Sequence, residues 1–137
     1  MPHNAIRSFI MSKNKTPAFA FSYGSINPKV CYAFYTAEGK CSADYADENG
    51  TRHCYVDRDM PEGFWNRLLE LAERFDMFEW KAPRLFRRFV LNVEEGVLNV
   101  EVLFPDGRRI NANSMHGDPK NLKEAEAALK ALYAELE

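Results

Sequence analysis

Tight-turn signals punctuate this chain, and the runs between them are the length of strands. Glu38-Gly39, Asn49-Gly50, Glu94-Glu95-Gly96 and Pro105-Asp106-Gly107 each fall between two such runs. Within the runs, large apolar residues alternate with small or polar ones, which puts one set of side chains on each face of a sheet. Gly and Asn tolerate the positive φ that tight hairpins demand. Strands joined this closely run antiparallel. The chain is therefore held to a meander.

Phe19 to Tyr23 is the first strand, and Gly24 to Pro28 is a turn cluster. Lys29 to Thr36 places Val30, Tyr32 and Phe34 on one face and Cys31, Ala33 and Tyr35 on the other. Two apolar faces mark an interior strand. Cys41 to Tyr45 returns with Cys41, Ala43 and Tyr45 on one face. Asn49-Gly50, the strongest hairpin signal, predicts a type I′ turn leading into Arg52 to Asp57. In the second half Phe86 to Val93 is a strand. Leu98, Val100, Val102 and Phe104 then alternate with Asn99 and Glu101, and Arg109 to Ser114 returns with Ile110 and Ala112 inward.

Two segments break this period. After Asp59 as a cap, Pro61 in the first turn and Glu62 in capping-box position, Phe64, Leu68, Leu71 and Phe75 recur at helical spacing, widened by Trp65, Leu69 and Ala72. That helix is expected to end near Met77, and Pro83 forbids its continuation. A second begins at Asp118-Pro119 or Asn121 and carries Leu122, Ala125, Leu129, Leu132 and Leu136 on one stripe. The expected fold is α+β: a meandering antiparallel sheet of six to seven strands, with two amphipathic helices on one face.

A displacement that carries Gly39 onto Gly107 also carries Val30, Tyr32, Phe34 and Thr36 onto Leu98, Val100, Val102 and Phe104, and Phe21 and Tyr23 onto Phe89 and Leu91. Each half then reads as a ββ(β)α unit, a meander leading to a helix. The match fails on the third strand, where Ser42 and Asp44 meet Ile110 and Ala112, so a bulge or register change is needed there. Two units joined edge to edge would leave the face away from the helices open. It would present Asn99, Glu101, Leu103, Arg109, Asn111 and Asn113 on the second meander, and Ala33 and Tyr35 on the first.

The 137 residues suit one domain, expected over 17–137, after a flexible leader at 1–16 in which Met11 is a possible true start. Eighteen basic residues against 20 acidic ones give a net charge of −2, so neither nucleic acid nor anionic membrane is attracted globally. Cys31, Cys41 and Cys54 do not form a disulfide framework. With no signal-peptide pattern and no apolar run of membrane-spanning length, a cytoplasmic location with reduced thiols is expected.

Catalytic patterns are weak. His53 and Cys54 are neighbours in a strand and point to opposite faces, so they cannot form a thiol–base pair. No C-x-x-C or H-x-x-x-H spacing suggests zinc, and no Gly-rich phosphate loop is present. The carboxylates at 44–62 cluster around turns and a helix start, where they cap and solvate; their spacing is not that of an EF-hand. No catalytic residue, metal or cofactor is assigned. Lys81, Arg84, Arg87 and Arg88, interleaved with Phe86 and Phe89, are a local candidate for phosphate or nucleic-acid contact.

Trp80 and Pro83, the strands around Pro105-Asp106-Gly107, Asn113-Ser114, and His116-Gly117-Asp118-Pro119 entering a helix carry a resemblance over residues 80–136. This stretch resembles small uncharacterised bacterial proteins with the same strand–Asp-Gly–strand–Pro–helix ending. The resemblance implies a bacterial origin and no activity. The expected function is a non-catalytic binding or interaction module, with Tyr35, Asn99, Glu101, Arg109, Asn111 and Asn113 on its surface and itself (a homodimer) or another protein as partner. One alternative is a small-ligand binder or small enzyme with a pocket between sheet and helices. The other, disfavoured by the overall charge, is a nucleic-acid binder acting through residues 81–88.

Overall fold

A computed structural model describes residues 16–80, 96–114 and 119–137 of the chain. Six strands follow the alternation: β1 (Ala18–Gly24), β2 (Tyr32–Ala37), β3 (Lys40–Ala46), β4 (Arg52–Asp59), β5 (Val97–Leu103) and β6 (Arg109–Ser114). Two helices, α1 (Phe64–Arg74) and α2 (Leu122–Ala134), carry the helical stripes, and short 3₁₀ turns form at Pro28–Val30 and Met77–Glu79. All described strand pairs are antiparallel, in the order β4-β3-β2-β1-β5-β6.

One face of this open sheet is the core. Phe19 and Phe21 of β1, Phe34 of β2, and Leu98 and Val100 of β5 are essentially inaccessible there. Both helices close this face. Tyr133 of α2 lies 5.0 Å from the ring of Phe34 and meets the edge of Phe64 of α1 at 5.4 Å, while Trp65 of α1 meets Phe104 at 5.9 Å. The stripe residues Leu68, Leu71, Leu122, Leu129 and Leu132 join the same cluster. Truncating one such buried Phe or Leu to Ala typically costs about 2–5 kcal/mol. This makes the aromatic contacts between layers a principal source of stability.

Turn and cap chemistry departs from expectation in instructive places. The two-residue hairpin with positive φ at both positions is Glu38-Gly39 (φ 52° and 77°), closed by the Ala37–Lys40 pair. At Asn49-Gly50 only Gly50 takes positive φ, so the expected type I′ turn does not form. There the Asp47 carboxylate accepts the N–H groups of Asn49 and Thr51, and Gly50 N–H bonds to Asp47 O, fixing a longer turn. The loop after β5 repeats that pattern, with Gly107 N–H bonded to Phe104 O and Arg108 N–H to the Asp106 carboxylate.

Asp59 does not cap α1. It ends β4 and pairs with Lys40 across the hairpin, and the residue before the helix is Gly63 at φ 80°. β4 reaches that far because a bulge lies between Cys41 and Ala43, where Asp57 (φ 56°) gives its N–H to Ser42 Oγ. α1 stops at Arg74, short of Met77, and a 3₁₀ turn continues. Val30 lies in the earlier 3₁₀ turn and is exposed, so β2 begins only at Tyr32. α2 starts after Asn121 (φ 69°), whose side-chain amide donates to Phe75 O.

The expected strand over 86–93 and the leader up to residue 15 lie outside the described residues. The described strands place the two hairpins, β2–β3 and β5–β6, on opposite sides of β1. Phe21 pairs with Phe34 on one side and with Val100 on the other. A single strand thus serves as the neighbour of both hairpins, the position the pseudo-repeat gave to two separate strands.

Candidate functional site

The face away from the helices carries no described element. Its side chains line up in rows set by the strand register. One row runs Ser42, Tyr35, Ala20, Glu101, Asn111 from β3 to β6. The next runs Asp44, Ala33, Ser22, Asn99, Asn113, and a third runs Ala37, Ala18, Leu103, Arg109. Ala18, Ala20 and Ser22 of β1 and Ala33 and Ala37 of β2 leave the middle of the face low. Tyr35, 47% exposed, stands alone above this floor.

All six residues expected on this surface are on it. Asn99, Glu101, Arg109, Asn111 and Asn113 form one bank on β5 and β6, and Tyr35 rises on β2. Between floor and bank lies a depression of about 250 Å³, lined among others by Ala18, Ala20, Glu101, Leu103, Arg109 and Asn111. The other margin holds an Arg52–Asp44 ion pair (2.7 Å) and the exposed Val56. Lys81, Arg84, Arg87 and Arg88 lie outside the described residues.

A second cluster escaped sequence reasoning. Cys54 is exposed on the open face, and His53 projects from the other side of β4, stacked on Tyr45 at 5.1 Å. Its Nδ1 lies 2.8 Å from Glu137 Oε2 and its Nε2 lies 2.7 Å from Asp47 Oδ2. Hydrogen bonds to Glu137 and then to Asp47 raise the His53 pKa above its ordinary value. The bond from His53 and the N–H groups of Thr51 and Asn49 hold Asp47 below its own. Tyr45 donates its phenol to Glu137 Oε1 (3.3 Å), and its pKa is pushed up to about 12, first by burial and then by Glu137. The signal available in sequence was the Tyr45–His53 cross-strand pair; Glu137 lies too far along the chain to be linked to it.

Among the described residues, no three His, Cys, Asp or Glu side chains converge to hold a metal ion. None of the described helices is long and apolar enough to cross a membrane. The architecture defines an α+β protein with an open six-stranded antiparallel sheet and two helices. The chain matches no family model, and no curated protein or solved structure is significantly similar to it.

Proposed function

We propose that this protein is a non-catalytic binding module whose open sheet face receives an amphipathic helix of a partner protein. The observation that carries this reading is the low floor of Ala18, Ala20, Ser22, Ala33 and Ala37 between raised polar margins. The floor lies on β1 and β2, and the flanking strands β5 and β3 stand three strand spacings apart, roughly 14 Å. A helix with its side chains is about 10–12 Å across. A convex rod fits such a trough, whereas a second copy would bring trough against trough. Tyr35 supplies an aromatic anchor of the kind that dominates interface energetics. Glu101, Arg109 and the three Asn residues offer both charge signs and amides to the polar flank of an amphipathic helix.

The test is a displayed library of helix-forming 15-residue peptides, selected on the wild-type protein and re-measured on variants. Ala20→Arg fills the trough and is expected to weaken selected binders at least tenfold, with Tyr35→Ser costing about 1–2 kcal/mol. Glu124→Ser, on the exposed side of α2, is the control and leaves them unchanged. Binders indifferent to Ala20→Arg would sink the reading. Native mass spectrometry tests the other occupants: a dimer dissociated by Ala20→Arg would make a second copy the partner. A small-ligand reading, moved from between sheet and helices to the open face, is favoured by the depression beside Glu101, Arg109 and Asn111. A bound mass lost on activation and absent from Ala20→Arg would decide for it.

A further inference from the structure

The ring of His53 is placed so that only one protonation state satisfies its surroundings. Both nitrogens face carboxylate oxygens, at 2.8 Å to Glu137 and 2.7 Å to Asp47. Ionised carboxylates only accept hydrogen bonds, and a neutral imidazole has a single N–H. In either neutral tautomer a nitrogen lone pair would face a carboxylate oxygen at hydrogen-bond distance. The imidazolium donates to both.

The two carboxylates are not equally anchored. Asp47 is fixed within its own turn by the N–H groups of Asn49 and Thr51. Glu137 lies beyond the end of α2, and its carboxylate is held by His53 and by the phenol of Tyr45. Loss of one bond therefore falls on the Glu137 side. We propose that His53 is a protonation-operated latch: as the imidazolium it fastens the end of α2 to the β3–β4 hairpin, and on losing its proton it lets that end go. The inference stands apart from the binding proposal, because it uses the helix-covered side of the sheet.

The surroundings favour the proton. Facing the ring are Asp47 from the hairpin, Glu137 beyond α2, and the neutral phenol of Tyr45, while Glu48 of the hairpin lines the groove beside it. Lys123, Glu126 and Lys130 of α2 line the adjoining groove of about 660 Å³, and Lys130 is engaged by Glu126 at 2.8 Å. Four carboxylates thus stand against two ammonium groups. The sign of the pH dependence follows. The His53 pKa is raised on folding, so the latch is complete below the unfolded value, about 6.5, and is lost as pH rises through the folded value. Asp47 has a lowered pKa, so its share is complete above its unfolded value, about 4, and lost as pH falls through the folded value. The latch is closed in mildly acidic solution and opens as pH rises through the raised His53 pKa. Release alters one wall of the groove between α2 and the hairpin.

NMR of the full chain between pH 5.5 and 8.5 tests this. The His53 imidazole is expected to titrate above 6.5. The amides of Leu136 and Glu137, corrected for intrinsic exchange, are expected to lose protection several-fold with the same midpoint. His53→Gln, which cannot bridge the two carboxylates, should abolish the step. Glu137→Gln, which leaves the ring in place, should lower the His53 midpoint and serves if the first variant folds poorly. A His53 midpoint at or below 6.5, or exchange at the end of α2 with no step at that midpoint, overturns the latch.

Discussion

Tyr133 fastens α2 to β2 and β4 directly and, through Thr36, to β3. Its hydroxyl lies 2.6 Å from Thr36 Oγ1 on β2, which in turn lies 3.2 Å from Cys41 Sγ on β3; its own carbonyl accepts the phenol of Tyr55 on β4 at 2.6 Å. Burial, as the largest cause, pushes the Tyr133 and Tyr55 phenols upward in pKa and raises the Cys41 thiol, so all three stay neutral at physiological pH. A polar group buried this deeply is stabilising only while it is paired. Tyr133→Phe removes a hydroxyl and leaves Thr36 its contact with Cys41, a loss expected near 1 kcal/mol. Thr36→Val takes the partner away from a Tyr133 side chain with no solvent access and is expected to cost about 1–3 kcal/mol. The double variant should cost less than the sum, because the Tyr133 hydroxyl that Thr36→Val alone would strand is gone and only the weakly bonding Cys41 thiol loses a partner. Urea denaturation midpoints of the three variants check the ordering; strict additivity would mean that the pair is not coupled.

At the level of the elements, the connections decide where strands begin and end, and Gly96 shows how tightly one is set. It precedes β5 at φ 85°, and a Cβ built there would lie 2.3 Å from the Tyr23 ring, which stacks on Tyr32 at 5.5 Å. Gly96→Ala therefore combines an unfavourable backbone with displacement of an aromatic ring, at an expected cost of about 2–4 kcal/mol. Tyr23→Ala in the same chain should recover the steric part and leave the backbone part, which thermal unfolding of both variants would show. The existence of the described strands and helices was legible in the sequence because alternation and stripe are local properties. The boundaries were less so, for reasons that are also physical. Asn49-Gly50 has the composition of a type I′ turn, yet the carboxylate of Asp47 takes the N–H groups of Asn49 and Thr51 and selects a longer loop. Asp59 has the composition of a cap, yet a bulge carries the strand through it to meet Lys40.

For the molecule as a whole, what could not be read locally is pairing at a distance. The open face was legible because the residues that alternate with a core stripe must face away from it, so Tyr35 and the Asn-rich bank fell where the pattern put them. That β1 lies between the two hairpins was not legible, since nothing local in Phe19–Tyr23 distinguishes one neighbour from two. The His53 latch was hidden for the same reason: Asp47 lies six residues away in the same hairpin, but Glu137 lies 84 residues further along the chain. The central place of β1 has an energetic consequence. Phe21 is fully buried, touches Tyr32 of β2 and Trp80, and sits in register with Phe34 on one side and Val100 on the other. Neither hairpin can keep its inner edge paired if β1 leaves, so the two should unfold as one unit. Native-state hydrogen exchange tests this: the amides of Phe34 and Val100 should reach the same maximal protection free energy. Phe21→Ala should lower both by the same amount, about 3–5 kcal/mol. Loss of protection in one hairpin alone would show that the halves are separate cooperative units, with β1 belonging to only one of them.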